Sequence, residues 1–350
     1  MTVSTSVNNP APALSREAIA ALPKVELHVH LDCCLSYDAV ARLAPGTTRE
    51  AYRRDFVGPA RCIDLAAFLR HIDRSLALLQ TEEGLRVAVE DLFGQFVADR
   101  VLYAEVRFAP LLHLRKGLAA DVVVATVAAA VERCTLETGV EARVILCTLR
   151  HYSEAQGLET ARLAERFRGT AVAALDLAAD EAGFPLREHV AAFSFARERG
   201  IARTAHAGEA RGAESVRETL TQLRPMRLGH GVRSVEDPAL VGELAAHRVH
   251  LEVCPSCNVQ IGLFPSHAAH PVDRLFRAGV SVGINTDSRT LTDVTLTGEY
   301  ERLRDAFGWG LPEFYLCNRN ALDAAFLDDA VHARLMERLE AGYAPDSAAR

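Results

Sequence analysis

The stretch KVELHVHLD, residues 24–32, decides how the rest of the chain is read. Polar and apolar residues alternate along it, the period of a β-strand, so His28 and His30 point to the same side. A doubly wound α/β sheet would follow its first strand with a glycine-rich phosphate loop. Here Asp32 leads into Cys33-Cys34, and no such loop occurs. Working outward, short apolar, β-branched runs recur at 102–109, 143–148, 172–177, 202–207, 227–230, 249–253 and 280–286. Amphipathic stretches such as 119–136 and 186–199 lie between most of them. Strands alternating with helices in this way predict a parallel (β/α)8 barrel of the TIM type.

The gap between the first two runs is far longer than one crossover needs. It predicts a helical insertion over 32–100, including a helix at 65–79, on the barrel face where active sites form, as a lid or pocket wall. The expected organisation is one barrel domain over 1–350, with a flexible polar arm at 1–14, a short helix capped by Ser15, and a flexible tail at 344–350.

Composition narrows the class. Of 350 residues, 49% are apolar and 24% charged, enough to bury a large core. Lys+Arg is 39 against Asp+Glu 46, a net charge of −7, and no basic stripe is present, which argues against nucleic-acid or anionic-membrane partners. No apolar run is long enough to span a bilayer. Eight scattered cysteines in apolar surroundings read as reduced, buried thiols of a cytoplasmic enzyme.

His206 ends the fifth predicted strand, His230 the sixth and Asp287 the eighth. With His28 and His30 they gather at the carboxyl ends of the strands, where a barrel collects its catalytic groups. Any one of them could be a hydrogen-bonded core residue; convergence of five at one mouth points to chemistry. Three imidazoles and a carboxylate suit Zn2+ with one position left for water. The other nine histidines read as surface or core residues. The chain has only two lysines, Lys24 before the first strand and Lys116 in a loop after the second. Neither can supply the carbamylated lysine that bridges two metals in binuclear hydrolases on this fold, so one ion per chain is expected. Glu209, in His206-Ala207-Gly208-Glu209, lies where a carboxyl raised by burial could act as a general acid, or could simply favour a helix N-terminus. Cys254-Pro255-Ser256-Cys257 has no second cysteine pair, so it reads as pocket wall or packing.

These residues resemble the adenosine deaminase family of metal-dependent hydrolases. The matching segments are KVELHVHLD (24–32), LYAEVRFAP (102–110), ALDLAADE (174–181), RTAHAGE (203–209), RLGHG (227–231), LEVCPSCNVQIG (251–262) and NTDS (285–288). The resemblance implies a (β/α)8 barrel with one Zn2+ held by His28, His30, His206 and Asp287. It implies that Glu209 protonates purine N1 and that His230 and Asp287 orient the attacking water. It also implies that Asp32 meets a sugar hydroxyl, and that Leu65, Phe68, Ala179 and Ser288 line the base pocket. The expected reaction is hydrolytic deamination of adenosine or 2′-deoxyadenosine, a small-molecule 6-aminopurine nucleoside, to the inosine product and ammonia, in purine salvage.

Three positions depart from the family's pattern. Cys33 stands where a glycine is usual, Ala179 where glycine is frequent, and Ser288 where a second aspartate meets purine N7. They leave adenine or a modified adenosine open as the substrate. Two readings of other kinds also stay open: a barrel that binds metal without catalysis, and a hydrolase of cyclic amides or esters.

Overall fold

The structure, a computed structural model, describes residues 14–344. Eight parallel strands run in sequence order around a barrel: β1 Lys24–His30, β2 Val101–Phe108, β3 Glu141–Leu149, β4 Val172–Ala178, β5 Ala202–Ala207, β6 Arg227–His230, β7 His250–Val253 and β8 Ser281–Ile284. Helices lie between consecutive strands, as the alternation predicts. The helix Ala120–Thr138 shows why: Val123, Val127, Val131 and Cys134 recur at helical spacing and are all buried against the sheet. Strand residues facing outward, such as Val29, Val106, Leu146 and Leu228, complete that apolar layer.

The barrel closes at its mouth rather than along the length of β8. The sequence pattern extends β8 to residue 286, but the strand ends at Ile284. Asn285 turns its side chain into β1, where its Oδ1 accepts the Leu27 and His28 N–H groups at 2.7 and 3.1 Å. Asp287 then bridges back: its N–H donates to His28 O at 2.9 Å, and its carbonyl accepts the His30 N–H at 2.8 Å.

The insertion between β1 and β2 is helical, as expected. Its 65–79 stretch is three pieces rather than one helix: Leu65–Leu69, a 3-10 turn Arg70–Ile72, and Asp73–Leu78. Asp64 caps the first piece through the Ala67 N–H at 2.7 Å. The short helix Arg16–Ala21 is capped by Ser15, whose hydroxyl accepts the Ala18 N–H. The expected arm and tail lie outside the described residues, apart from Leu14 and Ala344. No described helix is long and apolar enough to cross a membrane. All eight cysteines are free and buried.

Candidate active site

The alternation of β1 carries His28 and His30 to the barrel axis, where His206 from β5 and Asp287 meet them. His30 Nε2 lies 3.3 Å from His206 Nε2 and 3.5 Å from Asp287 Oδ1, and His28 Nε2 lies 3.7 Å from the same oxygen. Four donors held about 2.1 Å from one ion at tetrahedral angles stand about 3.4 Å apart. The four groups therefore fit a zinc-like ion. His28 Nε2 is also buried with no hydrogen-bond partner, a polar atom that needs one.

Carboxylates behind two of the rings fix which nitrogen faces the centre. His28 Nδ1 lies 2.8 Å from Glu252, and His206 Nδ1 lies 3.2 Å from Asp176. A carboxylate can only accept, so each Nδ1 carries the proton and each Nε2 presents a lone pair. The Arg107 guanidinium joins the two carboxylates, donating to Asp176 at 3.0 Å and Glu252 at 2.6 Å. His206 and then Arg107 hold Asp176 well below the ordinary carboxylate range, and Arg107 with Arg227 holds Glu252 at about 2, despite complete burial. Gly229 makes room for this cluster, since a Cβ there would stand 3.0 Å from His28 Cε1.

Glu209 is fixed by the loop that carries it. Glu181, beyond β4, accepts the N–H groups of Gly208, Glu209, Ala210 and Arg211 at 2.7–3.0 Å, and the Ser215 hydroxyl. Gly208 takes φ +66°, and a Cβ there would meet Val216 at 2.5 Å, so the turn requires glycine. Burial, reinforced by Asp287 and Glu181, pushes the Glu209 carboxyl well above its ordinary value. Its Oε1 stands 3.5 Å from His230 Nε2, which lies 3.9 Å from Asp287 Oδ2.

Two adjoining cavities with common wall residues lie at this centre. An inner one of about 40 Å3 is bordered by Glu209, His230, Asp287, Ser288, Leu65 and Phe68. An outer one of about 370 Å3 contains Asp32 and shares His30, Cys33 and Ala179 with the first. Every site residue expected from the sequence thus lines one or both of these adjoining cavities, except His28, which stands behind them. Burial pushes the Asp32 carboxyl up to about 6. The Ser288 hydroxyl faces Asp287 Oδ1 at 3.4 Å.

Cys254 and Cys257 pack with Cys33, Leu65 and Phe68 in a small apolar cluster, in keeping with the wall reading. Their sulfurs also lie near the acidic centre, Cys254 beside His28, His230 and Asp287, and Cys257 beside Glu209 and Asp287. Burial pushes both thiols well above their ordinary value, so they sit there as neutral groups. Sequence reasoning missed Glu181, Asn258 and His270, along with the supporting Arg107, Asp176 and Glu252. It also missed that His151 edges the outer cavity and that His113 Nε2 stands 3.9 Å from Asp32. A signal existed for the strand residues: isolated charges inside buried strands must be paired.

Comparison with known proteins gives the same architecture. The family model described as adenosine deaminase matches residues 23–342. An adenosine deaminase of Mycobacterium ulcerans is 38% identical over 335 residues, covering 89% of this chain and 92% of the relative. An adenine deaminase of Rhizobium johnstonii is 35% identical over 320 residues, covering 91% and 99%. The crystal structure of an adenine deaminase from Arthrobacter aurescens superposes with a TM-score of 0.85 at 28% identity, covering 91% of this chain and 98% of that one. The chain belongs to the adenosine deaminase family, hydrolytic deaminases that act on a purine amidine C–N bond.

Proposed function

We propose that the chain deaminates adenosine and 2′-deoxyadenosine, using one Zn2+ held by His28, His30, His206 and Asp287. The observation that carries this reading is the placement of a buried, raised Glu209 carboxyl beside that four-donor cluster. When bound, the ion supplies Lewis acidity that makes water nucleophilic near neutral pH.

The protein's own groups do the rest. Glu209 enters protonated and gives its proton to purine N1, so that the ring can accept attack at C6. His230 and Asp287 hold the attacking water between them, on the side of the ring set by the inner cavity. Leu65 and Phe68 cover the base and exclude bulk water. Ser288 offers a hydroxyl donor near the ring, which suits the N7 acceptor without a second carboxylate beside Asp287. On attack the water leaves one proton with Asp287, which passes it to the 6-amino group; the C6–N bond breaks, ammonia leaves, and the proton of the C6 hydroxyl returns to Glu209, with no redox partner required.

The outer cavity favours a nucleoside over a free base. A purine ring alone would leave the outer cavity of about 370 Å3 unfilled, whereas a nucleoside's sugar can occupy it and set a hydroxyl against Asp32, whose carboxyl otherwise meets only the Cys33 thiol and His113 Nε2, each at 3.9 Å. Adenine remains the second reading, because relatives of similar identity carry that name. Removing the ion with a chelator is expected to abolish turnover, and Zn2+ to restore it. His28→Ala and Asp287→Ala should lose ion and activity together, since a missing donor opens the site. Full turnover in ion-free protein would refute the metal assignment.

A further inference from the structure

His230 differs from His28 and His206 in what stands behind it. His28 and His206 back onto carboxylates, whereas His230 Nδ1 lies 3.2 Å from Asn258 Nδ2. On its other side, Asn258 Oδ1 lies 3.1 Å from His270 Nε2. His270 Nδ1 in turn accepts the Val272 backbone N–H at 3.2 Å. All three side chains are buried, His270 at 3% exposure and the other two at none.

This chain of contacts can run in only one direction. A backbone N–H can only donate, so His270 Nδ1 must hold a lone pair. Burial keeps that ring neutral, with its pKa drawn down to about 3, so its proton sits on Nε2. His270 Nε2–H then donates to the amide oxygen of Asn258, which turns the amide NH2 towards His230. Nδ1 of His230 accepts, and the ring proton is left on Nε2. That nitrogen is buried, has no hydrogen-bond partner, and stands 3.5 Å from Glu209 Oε1 and 3.9 Å from Asp287 Oδ2.

We propose that Asn258 and His270 are positioning residues that fix His230 as its Nε2–H tautomer, a hydrogen-bond donor aimed at the attacking oxygen. The same imidazole is thereby used in two ways within one centre. A carboxylate behind His28 and His206 turns a lone pair inward, fit to hold an ion. An amide behind His230 turns a proton inward, which keeps the ring out of the ion's coordination and leaves it to hold the oxygen that attacks C6. This inference rests on the functional reading above for the identity of that oxygen, but the tautomer itself does not.

The test is ring-nitrogen NMR of zinc-loaded protein carrying 15N-histidine, in the wild type and two variants, with metal content and kcat measured on the same samples. The wild type is expected to show His230 protonated at Nε2. In Asn258→Asp the carboxylate accepts from both rings, so the His230 proton should move to Nδ1. kcat should then fall by roughly 10²-fold, the loss usual for removing one preorganised donor, with the ion retained and KM little changed. His270→Gln keeps a donor towards Asn258, and should preserve both tautomer and turnover to within a few-fold. A wild-type His230 protonated at Nδ1 would overturn the proposal whatever the variants do. An Asn258→Asp enzyme with unchanged kcat, or one whose loss comes only from lost ion or fold, would overturn the catalytic part. Absence of ammonia release by the wild type would instead count against the functional reading and leave the tautomer to be decided by the spectrum.

Discussion

Ala179 takes φ +76°, a left-handed conformation that costs an L-residue with a Cβ about 1–2 kcal/mol. The family's frequent glycine at this position is thereby explained: the turn after β4 needs it, and this chain tolerates strain there. Ala179→Gly is expected to stabilise the protein by about 0.5–1 kcal/mol, after the larger unfolded-state entropy of glycine is taken off. Urea unfolding checks this, and a lower midpoint in the variant would show that the alanine methyl packs to advantage. Glu209 is the second residue on which the chemistry turns. Glu209→Gln keeps the shape and cannot give up a proton at N1, so kcat should fall roughly 10²–10⁴-fold with metal content unchanged. Because burial raises this carboxyl, wild-type turnover should hold while it is protonated and fall as pH rises through its raised value. A pH–rate profile of kcat measures that limb, which Glu209→Gln should lack.

At the scale of elements, β2, β4 and β7 exist in this site to hold β1 and β5. Arg107, Asp176 and Glu252 are fully buried, and the arginine pairs with both carboxylates. Arg107→Lys keeps the charge but not the fork that reaches both carboxylates. Zinc affinity, measured by chelator competition, should fall about 10–100-fold, as expected when the partners of ligand histidines are loosened. Undiminished affinity would show that each carboxylate is held without the arginine. The strands themselves were legible from β-branched runs, and the paired histidines from the alternation of β1. The 65–79 pattern reads as one helix because its apolar spacing continues through Arg70–Ile72, although the backbone tightens there. The apolar run of β8 outlasts the strand because an asparagine side chain, which pattern does not encode, replaces the ladder. The Arg107 network joins residues 69 and 145 positions apart, so its members could be flagged as buried charges but not paired. His270 carried no local signal at all, since its role depends on Asn258 and on the Val272 backbone.

The described residues form a nearly closed barrel whose axis is charged and whose strands carry an apolar outer face, with a catalytic end fed by an insertion from one edge. Buried charge on this scale ties stability to pH. Glu299 accepts the Ser256 N–H at 3.0 Å, and burial pushes its carboxyl from 4.5 up to about 7. Between those values the folded state binds the proton more tightly than the unfolded state does. The stabilisation from this group is therefore complete below about pH 4.5 and is lost as pH rises through about 7. Thermal melts of wild type and Glu299→Gln across that interval should show the wild type losing ground to the variant, by about 3 kcal/mol at most. Parallel pH profiles would place the charge elsewhere. The central claim concerns what the barrel mouth does. Amine release by zinc-replete protein, ammonia from adenosine, 2′-deoxyadenosine and adenine and methylamine from N6-methyladenosine, tests it most directly. The account predicts highest kcat/KM for adenosine and 2′-deoxyadenosine, with the inosine product appearing in step with ammonia. Turnover confined to adenine would contradict the role given to Asp32 and the outer cavity, and no amine released from any of the four would contradict the function itself.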